Sequence, residues 1–597
     1  MKNPYSKRLA GLRQLMSAHG VDGFIIPHRD AFFNEYLPES SQRLAFMTNF
    51  TGSAGMAIIM SDHASLFVDG RYALQAQQQV DTETFSIQSY SLDTLQQWLK
   101  QTLQPHGVIG YDPWLHSPHE LRQLTKMIER CQARMHAMSP NPIDRLWTDK
   151  PPLPQTKIIP FPDDVSGDST AHKIKKIQAV LRTHDCHATI LTSPPSVCWL
   201  FNIRASDIPH MPVCLARAIL YAKGQPTLFL NETRYHNPPA SITLAPEHAF
   251  TSHITTWSHH DDPILLDPRT CPAWIHHTLQ EQGCAIIQAD DPCLVLKACK
   301  TSAEIHGSTQ AHIRDAVALT QFFAWLEQQP PNSVSEHHAA HMVCTYRQRH
   351  PSFQQPSFPT ISASGKNAAI VHYIPDSQKS AIIKDNTPYL IDSGAHYTDG
   401  TTDVTRTLFI NHRPDRTAPQ EIKHLYTLVL KGHIAVASIR FPPKTTGTQL
   451  DSLARQYLWQ HGLNYDHSTG HGVGSVLSVH ESPPSLSRHH PSHPLMTGMI
   501  FSNEPGYYKA HHYGMRIENL MLVLPPISTT QNAHPMHTLK NLTLLPYDIA
   551  LIDDTMLTTQ EKSYLTAYYA TIKTHVMPHL DQDGKTWLER QCALPFC

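Results

Sequence analysis

The sequence has no apolar run approaching the roughly 18 residues needed to cross a bilayer. It has no long block of like charges, and no cysteines at Cys-x-x-Cys or zinc-finger spacing. The first absence excludes a helical membrane span. The second, with a formal net charge of −2 over 597 residues, removes the electrostatic footprint of a nucleic-acid or anionic-membrane partner. The 11 cysteines are odd in number and dispersed, so they read as reduced thiols of a cytoplasmic protein. The opening segment, Met1-Lys2-Asn3-Pro4-Tyr5-Ser6-Lys7-Arg8, leads into an amphipathic stretch instead of an apolar core, and no secretory signal is expected.

Histidine is abundant, with 42 copies. Most are spread along the chain, often in pairs such as His259-His260 and His489-His490, and read as surface residues. His337, His338 and His341 lie on a predicted helix, and the spacing of His337 and His341 can grip zinc. The glutamate order of a zinc-protease helix is missing, so this cluster reads as a solvated helix face.

At about 150 residues per domain the length suggests three or four domains. Near the start, a helix over Ser6–His19 precedes apolar strands at Gly23–Pro27, Met56–Met60 and Ser65–Val68. After the Pro-rich linker Lys150-Pro151-Pro152-Leu153-Pro154, the pattern recurs as a helix over Ile174–Arg182 and strands at Ala188–Leu191, Ala218–Tyr221 and Thr227–Leu230. Two related α/β domains follow from this weak repeat. A third domain opens near Lys300 with a long helix from Ser302 to Pro330, whose apolar face carries Ile313, Ala316, Val317, Phe322 and Leu326. The expected boundaries are 1–150, 165–298 and 300–597, with helices over Tyr564–Val576 and around Trp587 closing the chain.

Five potential metal ligands stand in the last domain in the order Asp392, Asp403, His471, Glu504, Glu518. Four carboxylates and one imidazole exceed the needs of one hard divalent cation but suit two that share bridging carboxylates, and four negative charges match two dications. Asp392 follows the apolar run Tyr389-Leu390-Ile391 and precedes Ser393-Gly394, which has the chemistry of a turn. Asp403 opens the β-rich stretch Asp403–Ile410, so a hairpin is expected to present both aspartates to one pocket. Glu518 lies in the strand-like Met515–Met521, where alternation puts Arg516 on its face. Arg516 is therefore expected to orient Glu518 by a charge-assisted hydrogen bond. Glycines around His471 are expected to let the backbone pass close to a metal. Without cations the converging carboxylates would repel one another at a large desolvation cost.

The same residues carry a resemblance. Their order resembles the metallopeptidases of the pita-bread fold, which include methionine aminopeptidase, prolidase and aminopeptidase P. Ala369-Ile370-Val371-His372-Tyr373, Thr402-Asp403-Val404-Thr405-Arg406-Thr407, Gly470-His471-Gly472-Val473-Gly474, Val479-His480-Glu481 and Glu504-Pro505-Gly506-Tyr507-Tyr508 resemble the long cytosolic Xaa-Pro aminopeptidases. So do Phe50–Gly55, Val68-Asp69-Gly70-Arg71-Tyr72 and Trp199–Arg204 in the earlier domains. The resemblance spans nearly the whole chain.

It implies an α/β (α+β) protein with two creatinase-like N-terminal domains and a C-terminal pita-bread domain, whose tail belongs to the catalytic domain and its dimer surface. It implies a cytoplasmic homodimeric aminopeptidase that releases the N-terminal residue from peptides with proline in the second position. Asp392 would serve one ion, His471 and Glu504 the other, and Asp403 and Glu518 would bridge. Manganese is the expected metal, with cobalt and zinc as alternatives. The resemblance also implies a bridging hydroxide as nucleophile, Glu504 as proton relay, and His372, His471, His480 and Arg71 as substrate contacts. From the residues alone His372 reads equally as a core histidine, and Arg71 as a solvated charge in an Asp-Gly turn. The polar segment Ser485–Pro491 follows no family motif and is expected to affect substrate length or charge preference. The rival readings are a prolidase restricted to dipeptides and an inactive binding module of the same fold.

Overall fold

The apolar runs near the start become the centre of a sheet because every residue of Gly23–Pro27, Met56–Met60 and Ala64–Val68 is buried, on both faces. A computed structural model describes residues 4–257, 262–412, 417–488, 493–528 and 534–594. The pairs His259-His260 and His489-His490 lie outside the described residues. Among the described residues no helix is long and apolar enough to cross a membrane.

The chain divides into two units, one of residues 1–163 and 168–294, the other of residues 164–167 and 295–597. The first unit holds two six-stranded sheets. One has the order 86–89, 64–68, 56–60, 23–27, 108–111, 134–137, and the other 243–245, 227–229, 217–221, 188–191, 264–266, 286–288. The senses of pairing coincide at every step: Gly23–Pro27 is antiparallel to its neighbour on one side and parallel on the other, as Ala188–Leu191 is. The outer pairs on both edges are parallel in both sheets. The weak sequence repeat is thus a repeat of topology.

In the second unit the long helix spans Ser302–Gln328, with Thr301 as its cap. Thr301 and Glu304 form a reciprocal capping box, each side chain accepting from the other's backbone N–H; such a cap contributes about 1 kcal/mol. Ala316, Phe322 and Leu326 are buried in the main core, and Ile313 and Val317 pack against it. The second helix, Glu336–Gln348, leaves His337, His338 and His341 exposed, as a solvated face requires.

The strands Thr387–Tyr397 and Thr401–Ile410 form a hairpin paired from Thr387 to His396. Ser393-Gly394 is not its turn, contrary to the sequence expectation. The strand runs through that pair, and the chain reverses at Thr398–Gly400. Gly394 is small for another reason: a Cβ there would collide with Ser357 Oγ and Thr402 O. A second, five-stranded sheet has the order 481–486, 470–472, 500–503, 519–523, 539–541. Ser485 and Leu486, where the polar segment begins, belong to its edge strand and pair with His471 and Gly470.

The C-terminal helices Thr559–Val576 and Gln582–Gln591 contribute Leu565, Tyr568, Ile572, Trp587 and Leu588 to the core that also holds Ile391, Val404 and Leu408 of the hairpin. Arg406, 1% exposed, fastens this arrangement. Its guanidinium donates to Pro546 O at 3.0 Å, Leu545 O at 2.6 Å, Glu518 O at 2.6 Å and Asn519 Oδ1 at 2.7 Å. Truncation would strand several buried acceptors, each costing on the order of 1–3 kcal/mol. Arg406→Met should lower unfolding free energy by more than about 3 kcal/mol in urea titration, and a loss below about 1 kcal/mol would show that the carbonyls find other donors.

Candidate metal centre

Strand alternation and register bring the first two ligands together. Asp392 pairs with Thr405 and Asp403 with Gly394, so Asp392, Asp403 and Thr405 share one face of the hairpin while Arg406 takes the other. Both aspartates are buried, at 7% and 3% exposure. His471 comes from the short strand Gly470–Gly472, where the ladder is irregular. Its N–H donates to Ser502 Oγ at 3.0 Å. Its Nδ1–H donates to Gly472 O at 3.0 Å, which leaves the Nε2 lone pair directed at the carboxylates. Nε2 lies 3.5 Å from both Asp403 Oδ2 and Glu504 Oε1.

Glu504 stands just after the strand Ile500–Asn503, with its N–H on Thr469 O at 2.8 Å and its Oε1 accepting from Ser502 Oγ at 3.1 Å. Glu518 is buried between Tyr513–Arg516 and Asn519–Val523. Thr405 Oγ1 donates to its Oε2 at 2.7 Å. Asp403, His471 and Glu518 each offer a ligand atom within 4.8 Å of the other two.

The role expected for Arg516 is corrected. Met515–Met521 is not one strand: Tyr513–Arg516 pairs with Gly506–Lys509, and Asn519–Val523 belongs to the five-stranded sheet. The chain changes sheets at Ile517-Glu518, so alternation does not carry Arg516 onto Glu518. Its Nη2 instead donates to Asp392 Oδ2 at 2.5 Å, and its Nε to Thr405 Oγ1 at 3.1 Å. Thr405 therefore relays between Arg516 and Glu518. Nη1 donates to the Tyr508 hydroxyl at 2.5 Å, and Tyr508 in turn meets His467 Nε2 at 2.9 Å.

The glycines beside His471 also act differently from the expectation. A Cβ on Gly470 would collide with Ser502 O, and one on Gly472 with Glu481 O. They admit neighbouring strands.

Crowding sets the electrostatics. Burial, then Glu518, Asp392 and Glu504, push Asp403 well above the usual carboxylate range, and burial with Glu504 and Asp392 does the same to Glu518. Glu504 is pushed up to about 7, by burial first and by Asp392, against the opposing pull of Arg516 and His480. These residues fit divalent cations. Asp392 Oδ1 is buried with no hydrogen-bond partner among the described residues, the His471 lone pair faces the carboxylates, and the charge that raises these groups is what dications would neutralise.

Two imidazoles have different settings. His480 packs edge-on to His471, with ring centroids 4.3 Å apart, and its charge acts on Glu504. The next residue, Glu481, is buried and clamped by Lys297 Nζ at 2.5 Å and by Lys300. Burial pushes Glu481 up, but the two lysines outweigh it and leave it low. His372 is half-buried in the turn after the short helix Gly365–Ala369. Arg71 belongs to the first unit, where Asp69 accepts from its Nε at 3.0 Å and its Nη2 at 2.7 Å.

Sequence reasoning missed Thr405, Tyr508, His467, Ser502 and the lysine pair on Glu481. Thr405 was accessible, since period two places it on the face of Asp403. The lysines were not, being 184 and 181 residues from their partner.

Comparison with known proteins shows the family. Residues 8–145 and 149–304 each match the creatinase/prolidase N-terminal domain, residues 307–525 match metallopeptidase family M24, and residues 535–594 match the C-terminal region of that peptidase family. The fold and the ligand cluster together define a metallopeptidase with two creatinase-like domains and a pita-bread domain. A probable Xaa-Pro aminopeptidase P of Laccaria bicolor is 37% identical, covering 98% of this chain and 93% of its own. Aminopeptidase P2 of Arabidopsis thaliana is 33% identical, covering 98% and 87%. The crystal structure of X-prolyl aminopeptidase from Caenorhabditis elegans, described as a cytosolic enzyme with a di-nuclear active site, superposes with a TM-score of 0.93 at 30% identity, covering 99% of each chain. The chain belongs to the Xaa-Pro aminopeptidase P family.

The raised Glu504 has a consequence in chelator. Its folded value near 7 exceeds the ordinary 4.5, so between these pH values the folded state keeps a proton that the unfolded chain has released. Its contribution to stability therefore falls as pH rises through that window and is flat above it. The thermal-midpoint difference between wild type and Glu504→Gln, metal-free, should decline over the same interval; a difference independent of pH would contradict the shift.

Proposed function

We propose that the protein hydrolyses the first peptide bond of peptides with proline in the second position, as its relatives are named for doing. The observation that carries this reading is the assembly of Asp392, Asp403, His471, Glu504 and Glu518 at one site in a chain that aligns with Xaa-Pro aminopeptidases over nearly its full length.

In this reading Asp392 would hold one cation, His471 and Glu504 would hold a second, and Asp403 and Glu518 would serve both. Manganese is the proposed metal, and the oxygen-rich donor set also suits cobalt or zinc. Bound divalent cations would supply Lewis-acid activation of the scissile carbonyl and of the attacking water near neutral pH. The water oxygen adds to the carbonyl carbon, the carbon–nitrogen bond breaks, and Glu504 carries the water's proton to the departing proline nitrogen. The hydrogen bond from Ser502 fixes the glutamate for this transfer.

His480, packed on His471, is assigned to the substrate carbonyl. His372 and Arg71 are assigned to substrate binding, and Arg71 would exchange part of its hold on Asp69 for the peptide. Arg516 acts as a positioning residue through Asp392 and Thr405. Assembly as a homodimer and residence in the cytoplasm belong to the same reading, the latter matching the description of the solved relative.

Two measurements test it. In a cleavage assay with proline scanned along a short peptide, release of the first residue should occur only with proline second and should stop with a chelator. Gly-Pro should be a poorer substrate than Arg-Pro-Pro; cleavage of the dipeptide alone would establish a prolidase instead. Asp403→Ala should lower kcat by at least about 10³-fold and leave fewer than two ions bound by metal analysis. Full metal content with retained turnover would overturn the shared-ligand assignment, and less than two ions in the wild type would favour an inactive module.

A further inference from the structure

The first unit contains a cavity of about 900 Å³ between its two α/β repeats, far removed in sequence from every ligand above. Arg217, at the start of the strand Arg217–Tyr221, lines it and is only 8% exposed. Its guanidinium is sandwiched by aromatic rings, with Phe32 at 4.0 Å and Trp114 and Phe250 at 5.2 Å. Trp114 is itself stacked on Trp274 at 4.5 Å, so that wall is rigid.

The polar contacts of Arg217 are few. Nη2 donates to Ala31 O at 3.2 Å, while the buried Nε–H has no partner among the described residues. Burial pushes the group down to about 10, against the opposing pull of Glu247 and Asp30. The nearby Asp30 is committed elsewhere, to Phe32 N and Asn34 N at 3.0 Å and to Asn34 Nδ2 at 2.8 Å. The lysine and the other arginine lining the cavity, Lys150 and Arg43, are both held by Asp144, at 3.0 and 2.8 Å. Ser40 Oγ, a buried atom of another lining residue, also lacks a partner among the described residues.

A buried donor left without an acceptor costs on the order of 1–3 kcal/mol, and here two residues that line one cavity each carry such an atom. We propose that this cavity is a binding site for a small monocarboxylate on an aromatic or branched apolar body. The carboxylate takes the free guanidinium edge and the Ser40 hydroxyl, and the body lies against Phe32, Trp114 and Phe250. A dianion is disfavoured, because Arg43 and Lys150 are already held by Asp144 and because Asp30 and Glu247 also act on Arg217.

The test is calorimetric titration of the metal-loaded full chain with 3-phenylpropionate, 3-phenylpropanamide and inorganic phosphate. The carboxylate should bind saturably with one site per chain, and the isosteric neutral amide and phosphate should bind at least about tenfold more weakly. Arg217→Met should weaken the carboxylate by at least a similar factor, whereas Asp392→Asn should leave it unchanged. Equal binding of carboxylate and amide, absence of saturable binding, indifference to Arg217→Met, or loss in Asp392→Asn would each overturn the proposal. The amide comparison is made on the wild type and decides the matter even if Arg217→Met does not fold.

Discussion

Four carboxylates held in a pocket largely closed to water repel one another, and the catalytic unit is built around containing that repulsion. Two of the acids are pushed far above their ordinary range and a third to about 7. A cluster of this kind persists in a metal-free chain only if the backbone holds the acids in place at a cost recovered elsewhere, and divalent cations are what return that cost. The metal centre is therefore the least self-sufficient part of the unit and depends on the rest of it.

The containment is visible as bonds. The hairpin ladder sets the spacing of Asp392 and Asp403, and Arg516 neutralises Asp392 from behind. Thr405 joins Arg516 to Glu518, while on the opposite face Arg406 ties the backbone at Glu518 to the C-terminal segment. The two arginines thus grip the same glutamate region from opposite sides of one strand. Because Arg406 also reaches Leu545 and Pro546, the tail is part of the metal centre's support.

Much of this was legible in the chain. Period-two alternation placed Asp403 on a strand, apolar runs located the early strands, and the recurrence of helix and strands disclosed two related domains. The five candidate ligands stood out because carboxylates and an imidazole in strand and glycine contexts have few other joint explanations. The errors share one cause. Ser393-Gly394 has turn chemistry, yet Gly394 is demanded by Ser357 and Thr402 pressing against it within a continuous strand. Arg516 and Glu518 are two apart, yet the chain changes sheets between them.

The sequence by itself determined the donor chemistry, the repeated α/β pattern and the family words that surround each ligand, because these rest on residue type and short-range periodicity. Only the tertiary structure decided which partner each charge takes. Arg516 on Asp392 and the two lysines on Glu481 are long-range pairings. Their energies depend on burial and on groups up to 184 residues away, and no local pattern encodes those distances.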